Sequence, residues 1–272
     1  MSKLTEFPDF NEPPVIETVL GVQYNPLEVL SIPHFGLYWS KILADYPKFE
    51  VQPPLTHIAE HFGEETRESS NIEIGLFPVP EVRCWFINHL ENRLIQVQKD
   101  RFIYNWRKVK DDEGYPRYDN IKPKFVEEWN RFCRFIQENK IGVPEINQCE
   151  ITYVNHIEIG KGWTSYGELN KVLTCWSGAS SGAFLPTPEM ISLNTRYVIP
   201  EKKGRLYITM QPGIRRKDGK EILQLQLMAR GKPDSSSIED ILNWFDLGHE
   251  WIVRGFTDFT TMAMHKIWGR KI

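Results

Sequence analysis

Residues 93–109 read RLIQVQKDRFIYNWRKV, and the alternation of side chains along this segment decides how the rest of the chain is interpreted. Side chains of an extended chain point alternately to opposite faces, so Gln96 and Gln98 share one face while Ile95 and Val97 share the other. A strand with one polar and one apolar face is typical of an antiparallel sheet that covers a core on one side. The central KD pair predicts either a tight turn between two strands or a bend within one strand.

The segments around residues 93–109 predict an ordered set of strands and helices in the first half of the chain. Val15–Tyr24 is rich in β-branched residues, which is typical of a strand, whereas apolar residues at helical spacing predict a helix within residues 34–47. Residues 71–79 and 82–90 are predicted as two further strands. A longer helix is expected to begin near Pro123 and to end near Asn139.

The second half of the chain shows a similar order of predicted elements. These elements are a strand at 145–159, a short helix at 166–176, strands at 190–199, 205–211 and 221–230, and a long C-terminal helix from about 238 that Gly255 could interrupt. The segment EILQLQL near the end of this half resembles RLIQVQ near the end of the first. We therefore predict an α+β fold of two tandem halves, residues 1–141 and 142–272, each with the order β-α-β-β-β(-β)-α. Each half is expected to be an antiparallel sheet on one long helix, and the two to be products of a diverged internal duplication.

Composition and charge limit the classes of function. The 272 residues carry a net charge of −3, which argues against a general nucleic-acid binder but allows a local basic patch. Cys84, Cys133, Cys149 and Cys175 do not form a CxxC pair or a zinc-ligand spacing, so reduced thiols in a reducing compartment are expected. No apolar run approaches the roughly 18 residues of a membrane span, and the N-terminal residues are too acidic and polar for a signal peptide. These features favour a cytoplasmic protein without a membrane partner.

Short motifs along the chain carry a resemblance to a known family. They are PPVIE at 13–17, LIQVQ at 94–98, DRF at 100–102, NWRK at 105–108, YPRY at 115–118, GHE at 248–250 and WG at 268–269. Together they resemble a family of uncharacterised, sporadically distributed bacterial proteins of similar length. The patchy distribution of that family is like that of mobile-element, toxin–antitoxin or phage-defence genes. The order of elements is also similar to TATA-binding-protein-like and helix-grip folds, whose curved sheets hold ligands or nucleic acid.

Basic and aromatic residues near the end of the 93–109 segment form a first candidate binding site. The residues are Arg101, Asn105, Trp106, Arg107, Lys108 and Tyr115. Cationic side chains neutralise phosphate, aromatic rings stack on bases, and an amide reads a base or peptide edge. Such a set suits a nucleotide, an RNA end or an acidic partner protein. The alternative is a strand whose aromatic residues lie in the core and whose basic edge is solvated.

Glutamine residues form a second candidate binding site. Gln96 and Gln98 in the first half, and Gln224 and Gln226 in the second, are predicted to line the open faces of the two sheets. Because an amide both donates and accepts hydrogen bonds, such a row suits a polar ligand or the backbone of a partner. The alternative is an ordinary solvated face of an antiparallel sheet.

The sequence contains no complete catalytic motif, so no catalytic residue, metal ligand or cofactor is predicted. Glu17 and Glu150 lie within apolar strand segments, but a metal-dependent hydrolase needs several such carboxylates together. Residues 57–61 match the H-x-x-E-H pattern of an inverted zincin, yet they lack the apolar residues of a buried helix. His249 falls near the apolar stripe of the C-terminal helix, where a packed and hydrogen-bonded imidazole is expected.

These observations favour a non-enzymatic cytoplasmic interaction protein that binds a protein partner through its open sheets. The resemblance carries over no activity, but the patchy distribution of that family suggests by association an antitoxin-like or phage-defence complex subunit. One alternative is a nucleotide- or nucleic-acid-binding module that uses the face around Arg101–Lys108. Another alternative is a metal-dependent phosphohydrolase. A homodimer is compatible with all three.

Overall fold

A computed structural model describes residues 7–60, 62, 81–178 and 184–271 of the chain. In chain order the elements are β1 (Val15–Tyr24), α1 (Ile32–Ile42), β2 (Lys48–Gln52), β3 (Arg83–Ile87), β4 (Arg93–Gln98), β5 (Arg101–Arg107), α2 (Tyr118–Glu138), β6 (Ile146–Glu158), β7 (Leu193–Ile199), β8 (Gly204–Ile214), β9 (Glu221–Gly231), α3 (Ile238–Phe259) and α4 (Met262–Ile267). A short 3-10 helix spans Tyr166–Lys171.

The described strands form one nine-stranded sheet in the order β2-β3-β4-β5-β1-β6-β9-β8-β7. Every neighbouring pair is antiparallel. The first strand of the chain therefore lies at the centre of the sheet, next to β6. The predicted α+β class and antiparallel pairing are confirmed, whereas the described strands form one continuous sheet instead of the expected separate sheet in each half.

One face of the sheet is apolar and is covered by α2 and α3. A row of cross-strand partners on this face consists of Ile95, Tyr104, Leu20, Ile151, Ala229 and Leu206. The ring of Phe102 on β5 lies 5.1 Å from the ring of Phe132 on α2. The rings of Phe125 on α2 and Phe245 on α3 are 5.0 Å apart, so the two helices share a single aromatic core on this side.

The opposite face of the sheet, which we call the polar face, carries amide and charged side chains. One row of cross-strand partners on this face consists of Gln96, Ile103, Gly21, Glu150, Arg230 and Arg205. Residues directly opposite each other in an antiparallel pair project to the same side. The predicted alternation in residues 93–109 is thus confirmed.

The turn and most of the strand predictions agree with the structure. Lys99 and Asp100 form a tight turn, and the residues that flank it, Gln98 and Arg101, are paired. The predicted strand Val15–Tyr24 has the observed bounds. The predicted strand at 71–79 lies outside the described residues, and β2 was not predicted because its KFEVQ sequence is short and mostly exposed.

Two helix predictions need correction. Helix α2 begins at Tyr118, earlier than the expected start near Pro123, and Pro123 lies inside the helix. Helix α3 continues through Gly255 and ends at Phe259. A Cβ atom at Gly255 would lie 2.8 Å from Cδ2 of Leu206, so this glycine allows a close approach of α3 to the sheet and does not end the helix.

None of the described helices combines the length and the apolar character that crossing a membrane requires.

Candidate functional site

The first-half strands of the polar face hold a chain of hydrogen bonds that uses the predicted binding amides. Oε1 of Gln96 accepts from Nε1 of Trp85 and from a guanidinium nitrogen of Arg83, both at 2.9 Å. Nε2 of Gln96 donates to Oδ1 of Asn105 at 2.8 Å, and Nδ2 of Asn105 donates to Glu17 at 2.7 Å. Burial raises the pKa of Glu17, and the bond from Asn105 partly offsets this effect. The polar groups of Gln96 and Asn105 are therefore engaged inside the protein.

A segment without regular secondary structure, residues 53–60, lies on the same part of the polar face. Gln98 exchanges two hydrogen bonds of 2.8 Å with the backbone of Leu55. Arg101 donates to the carbonyl of Thr56 at 3.0 Å and also to the side chain of Gln23. His57 lies 3.1 Å from Asp100. Two predicted binding residues, Gln98 and Arg101, thus hold this segment on the sheet.

The predicted binding residues do not form one surface. Gln96, Gln98, Arg101 and Asn105 are each less than a tenth exposed, whereas Gln224 and Gln226 are partly exposed further along the same face on β9. Trp106 and Tyr115 lie on the helix side, with ring centroids 5.5 Å apart. Arg107, the last residue of β5, donates to the carbonyl of Glu91, and the next residue, Lys108, is exposed. Since Arg101 and Arg107 stand at opposite ends of a strand of roughly 20 Å, they do not form a basic patch.

The carboxylates and histidines considered for metal binding are also separated. Glu150 pairs with Arg230 at 3.1 Å, and Glu17 bonds to Asn105. His57 bonds to Asp100, and His61 lies outside the described residues. In the described part of the chain, no group of three or more His, Cys, Asp or Glu side chains is placed to hold a metal ion.

A cavity of about 610 Å³, which we call the helix-side cavity, lies between β6, α2, α3 and the N-terminal residues 7–13. Much of its wall is apolar and consists of Phe10, Val15, Leu227, Ile252, Val253 and Phe256. Residues 7–13 are held across it by backbone bonds to the C-terminal segment, including Asn11 to Gly269 at 2.9 Å. The cavity is on the opposite side of the sheet from the polar face.

A chain of three polar side chains ends in the helix-side cavity. The hydroxyl of Tyr115 donates to the hydroxyl of Tyr153 at 2.9 Å, and Tyr153 lies 2.9 Å from Nδ1 of His249. The ring of Tyr118 stacks on His249 with a centroid distance of 4.0 Å and an angle of 10°. Each of these four side chains lines the cavity.

The environment of His249 determines its protonation. Burial lowers the pKa of His249 to about 4, so the imidazole is neutral near pH 7. In the tautomer in which Nδ1 of His249 accepts a hydrogen bond from the hydroxyl of Tyr153, the imidazole proton lies on Nε2. Nε2 has no hydrogen-bond partner among the described residues. In that tautomer Nε2 is a hydrogen-bond donor on a residue that lines the cavity.

Most charges at the rim of the cavity are paired with each other, whereas Asp119 is exposed and makes no ion pair with a described residue. Lys122 and Tyr118 both donate to Asp246 at 2.7 Å. Arg117 pairs with Asp9 at 2.9 Å. A molecule in this cavity therefore meets apolar walls, aromatic rings and neutral hydrogen-bonding groups, with the Asp119 carboxylate at the exposed rim.

The sequence offered little signal for this cavity. Tyr115 was predicted as a binding residue and His249 as a packed, hydrogen-bonded histidine, and the hydrogen bond of His249 is observed. Tyr153 was not singled out, because an aromatic residue in an alternating strand is typical of any core. The residues come together only because β6 lies below α3 and beside the segment that leads into α2.

Comparisons with known proteins add little. No family model and no curated protein matches this chain. One solved structure, that of DynU16 from the dynemicin biosynthetic locus, is 10% identical and has a TM-score of 0.27, covering 90% of this chain and 98% of that chain. A likeness of this size carries no argument about fold or function.

Proposed function

We propose that this protein binds a small, uncharged and largely apolar molecule in the helix-side cavity. The observation that carries the proposal is the convergence of Tyr115, Tyr153 and His249 on one side of an apolar cavity of about 610 Å³. Ligand sites in proteins are typically concave, mostly apolar and roughly 300–1,000 Å³ in volume, with a few polar groups that orient the ligand.

The chemistry of the wall indicates which ligand fits. Aromatic side chains such as Phe10, Tyr118 and Phe256 favour a planar ring. Nε2–H of neutral His249 would donate to a hydroxyl or carbonyl oxygen of the ligand. An anionic ligand is disfavoured because Lys122 and Arg117 are already paired with carboxylates.

A pair of related probes tests this proposal. We expect 2-naphthol, which has a planar ring and a hydroxyl group, to bind the full chain more tightly than naphthalene, as measured by fluorescence titration. The substitution His249→Phe removes the donor and should weaken the binding of 2-naphthol by about 3- to 10-fold, which corresponds to the loss of one hydrogen bond. The affinity for naphthalene should not change. Equal effects of this change on the two probes would contradict the assignment of Nε2.

A matched pair of bulky substitutions locates the binding site. Val253 lines the cavity, whereas Val198 on β7 is 54% exposed and distant from it. Val253→Trp should fill the cavity and abolish binding of 2-naphthol, whereas Val198→Trp should leave binding unchanged. Undiminished binding to the Val253→Trp variant would refute the cavity as the site.

A protein-interaction function, which the sequence favours, is a second proposal. The observation that supports it is the polar face on β8 and β9, where Thr209, Gln224 and Gln226 are each partly exposed. Co-purification from the native host with wild-type chain and with Gln226→Arg tests this proposal, since the charged variant should lose the partner. The antitoxin-like or phage-defence role and family membership stay predictions.

The remaining functional alternatives also stay predictions. A nucleic-acid-binding module would show salt-dependent binding that weakens when Arg107 and Lys108 are changed to Ala. A metal-dependent phosphohydrolase would retain metal after purification without a tag. Neither alternative gains support from the positions of the predicted residues.

We further propose that the chain consists of two related halves, residues 1–141 and 142–272. The support is the sheet order, in which β5 pairs with β1 and β9 pairs with β6. A long helix follows β5 and another follows β9. The halves, produced as separate chains, should associate through the β1–β6 boundary when mixed.

A further inference from the structure

We propose that Arg205, Tyr207 and Arg230 form a carboxylate-recognition site on the polar face. In the structure, Glu60 of the same chain occupies this site. An acidic peptide of a partner protein would bind by taking the place of Glu60. This site lies on the opposite side of the sheet from the helix-side cavity, so the inference is independent of the small-molecule proposal.

Both oxygens of the Glu60 carboxylate are bound. The hydroxyl of Tyr207 donates to Oε1 at 2.6 Å, and Arg205 pairs with Oε2. Nη1 of Arg230 lies 3.6 Å from Oε1. The side chains of Glu60, Arg205 and Arg230 are 6%, 8% and 9% exposed, so the carboxylate is nearly removed from water. Such charge-assisted contacts are about twice as strong as neutral hydrogen bonds.

The site is part of the rigid sheet. Arg205 on β8 and Arg230 on β9 are cross-strand partners. Arg230 is held from the other side by Glu150 on β6 at 3.1 Å, and its guanidinium lies 5.4 Å from the centre of the Tyr207 ring. Strand pairing and these mutual contacts therefore hold the three residues in the geometry that binds the Glu60 carboxylate.

An aromatic ring next to the carboxylate adds to the recognition pattern. The guanidinium of Arg205 lies 4.1 Å from the centre of the Phe62 ring, within the range of a cation–π contact. Glu60 and Phe62 are two residues apart. The partner peptide is therefore expected to carry a glutamate followed two residues later by an aromatic residue.

The segment that supplies Glu60 is attached to the sheet by side-chain contacts and not by strand pairing. Residues 53–60 have no regular secondary structure, and Thr56, His57, Ile58 and Ala59 are exposed, while Gln98 and Arg101 bind the backbone of Leu55 and Thr56. Exposed segments without regular secondary structure open locally at a smaller free-energy cost than a sheet does. The internal glutamate competes at an effective concentration on the order of millimolar, so an added peptide should bind the wild-type chain weakly.

Vacating the site in the full chain tests the proposal. Glu60→Ala should bind a synthetic peptide of residues 56–62, THIAEHF, at least 10-fold more tightly than the wild-type chain, as measured by calorimetry. The same peptide with glutamine in place of glutamate should bind the Glu60→Ala chain with at least 10-fold lower affinity. Glu50→Ala, which removes an exposed glutamate from β2, is the matched control and should bind like wild type. Equal binding to the three chains, or to the two peptides, would overturn the proposal.

A second measurement takes account of the stability that Glu60→Ala is expected to lose, because this change removes the buried carboxylate that Arg205 and Arg230 share. Propionate should raise the unfolding temperature of Glu60→Ala and of the milder Glu60→Gln more than chloride at equal ionic strength. The wild-type chain should not distinguish the two anions. An identical shift of unfolding temperature in the variants and the wild type would refute the site. Unchanged binding of 2-naphthol by the variants would show that the helix-side cavity is a separate site.

Discussion

The hydroxyl of Tyr153 lies 2.9 Å from Nδ1 of His249, although the two residues are 96 positions apart in the chain. Tyr153 is on the central strand β6, and His249 is on α3, which packs over that strand. The contact joins the apolar face of the sheet to its covering helix at the wall of the helix-side cavity. It therefore couples the stability of the helix–sheet contact to the protonation of His249.

Stability should fall when the pH is lowered, partly because of His249. Burial holds the pKa of His249 at about 4, below the value of about 6.5 expected in the unfolded chain. Below about pH 6.5 the unfolded state therefore binds a proton that the folded state does not. The free energy of unfolding falls as the pH is lowered from this value to about pH 4. The slope contributed by one such group is at most about 1.4 kcal/mol per pH unit.

Urea unfolding of the wild-type chain and of His249→Gln between pH 4 and pH 8 measures this effect. The pKa values of His156 and His265 are also lowered by burial, so the wild-type curve contains their contributions in the same direction. The difference between the two proteins isolates His249. A constant difference across this pH range would contradict the prediction.

The amides of the polar face should contribute very differently to stability. Gln96 is buried and accepts hydrogen bonds from Arg83 and Trp85 while it donates to Asn105. Gln96→Leu removes the partner of the buried Asn105 and of the partly buried Arg83 and Trp85, and should cost about 1–3 kcal/mol of unfolding free energy. The side chain of Gln226 makes no hydrogen bond to a described residue, so Gln226→Leu should change stability by less than about 0.5 kcal/mol. Denaturant midpoints compare the two variants, and equal losses would argue against the described network.

Alanine substitutions at two helical glycines should change the stability of the protein in opposite directions. A Cβ atom at Gly248 would lie 2.6 Å from Cγ2 of Ile151, because α3 packs directly on β6 at this point. Gly248→Ala should therefore destabilise the protein by about 1–3 kcal/mol. Gly36 in α1 has no heavy atom within 4 Å of an added Cβ, so Gly36→Ala should stabilise it by about 0.5–1 kcal/mol. Thermal unfolding of the two variants measures both changes, and a stabilised Gly248→Ala would contradict the close packing.

The cysteine residues should differ in reactivity. Cys175 is exposed, whereas Cys84 and Cys149 are buried and Cys133 is partly buried. Burial raises the pKa of Cys84 to about 11 and that of Cys133 to about 12, which leaves little thiolate near pH 7. Iodoacetamide should modify Cys175 first and the others only after unfolding. Mass spectrometry of wild type and Cys175→Ser checks this order, and rapid labelling of the folded serine variant would contradict it.

Local patterns allowed much of the fold to be predicted. The alternation in residues 93–109 placed Gln96 and Gln98 on one face, and apolar spacing located α2 and α3, because these signals depend only on neighbours in the chain. The start of α2 was wrong, since Pro123 is a strong local signal that the packing of Tyr118 against His249 overrides. The break predicted at Gly255 was wrong because the glycine serves a tertiary contact with Leu206.

The candidate sites depended on contacts between distant parts of the chain. Periodicity could show that Gln98 and Arg101 lie on a polar face, but it could not show that residues 53–60 occupy that face. Nothing near Glu60 in the sequence indicates Arg205, and nothing near Tyr153 indicates His249.

The sequence by itself thus determined the α+β class, most strands and the side of the sheet to which each strand residue points. These properties follow from the period of two in a strand and 3.6 in a helix, together with the preference of apolar side chains for the core. Only the tertiary structure decided that β1 and β6 meet at the centre of one sheet, that α3 closes a cavity over Tyr153, and that Glu60 pairs with Arg205. Burial then gave the same residue types different roles, since a buried polar group must find a partner and an exposed one is solvated.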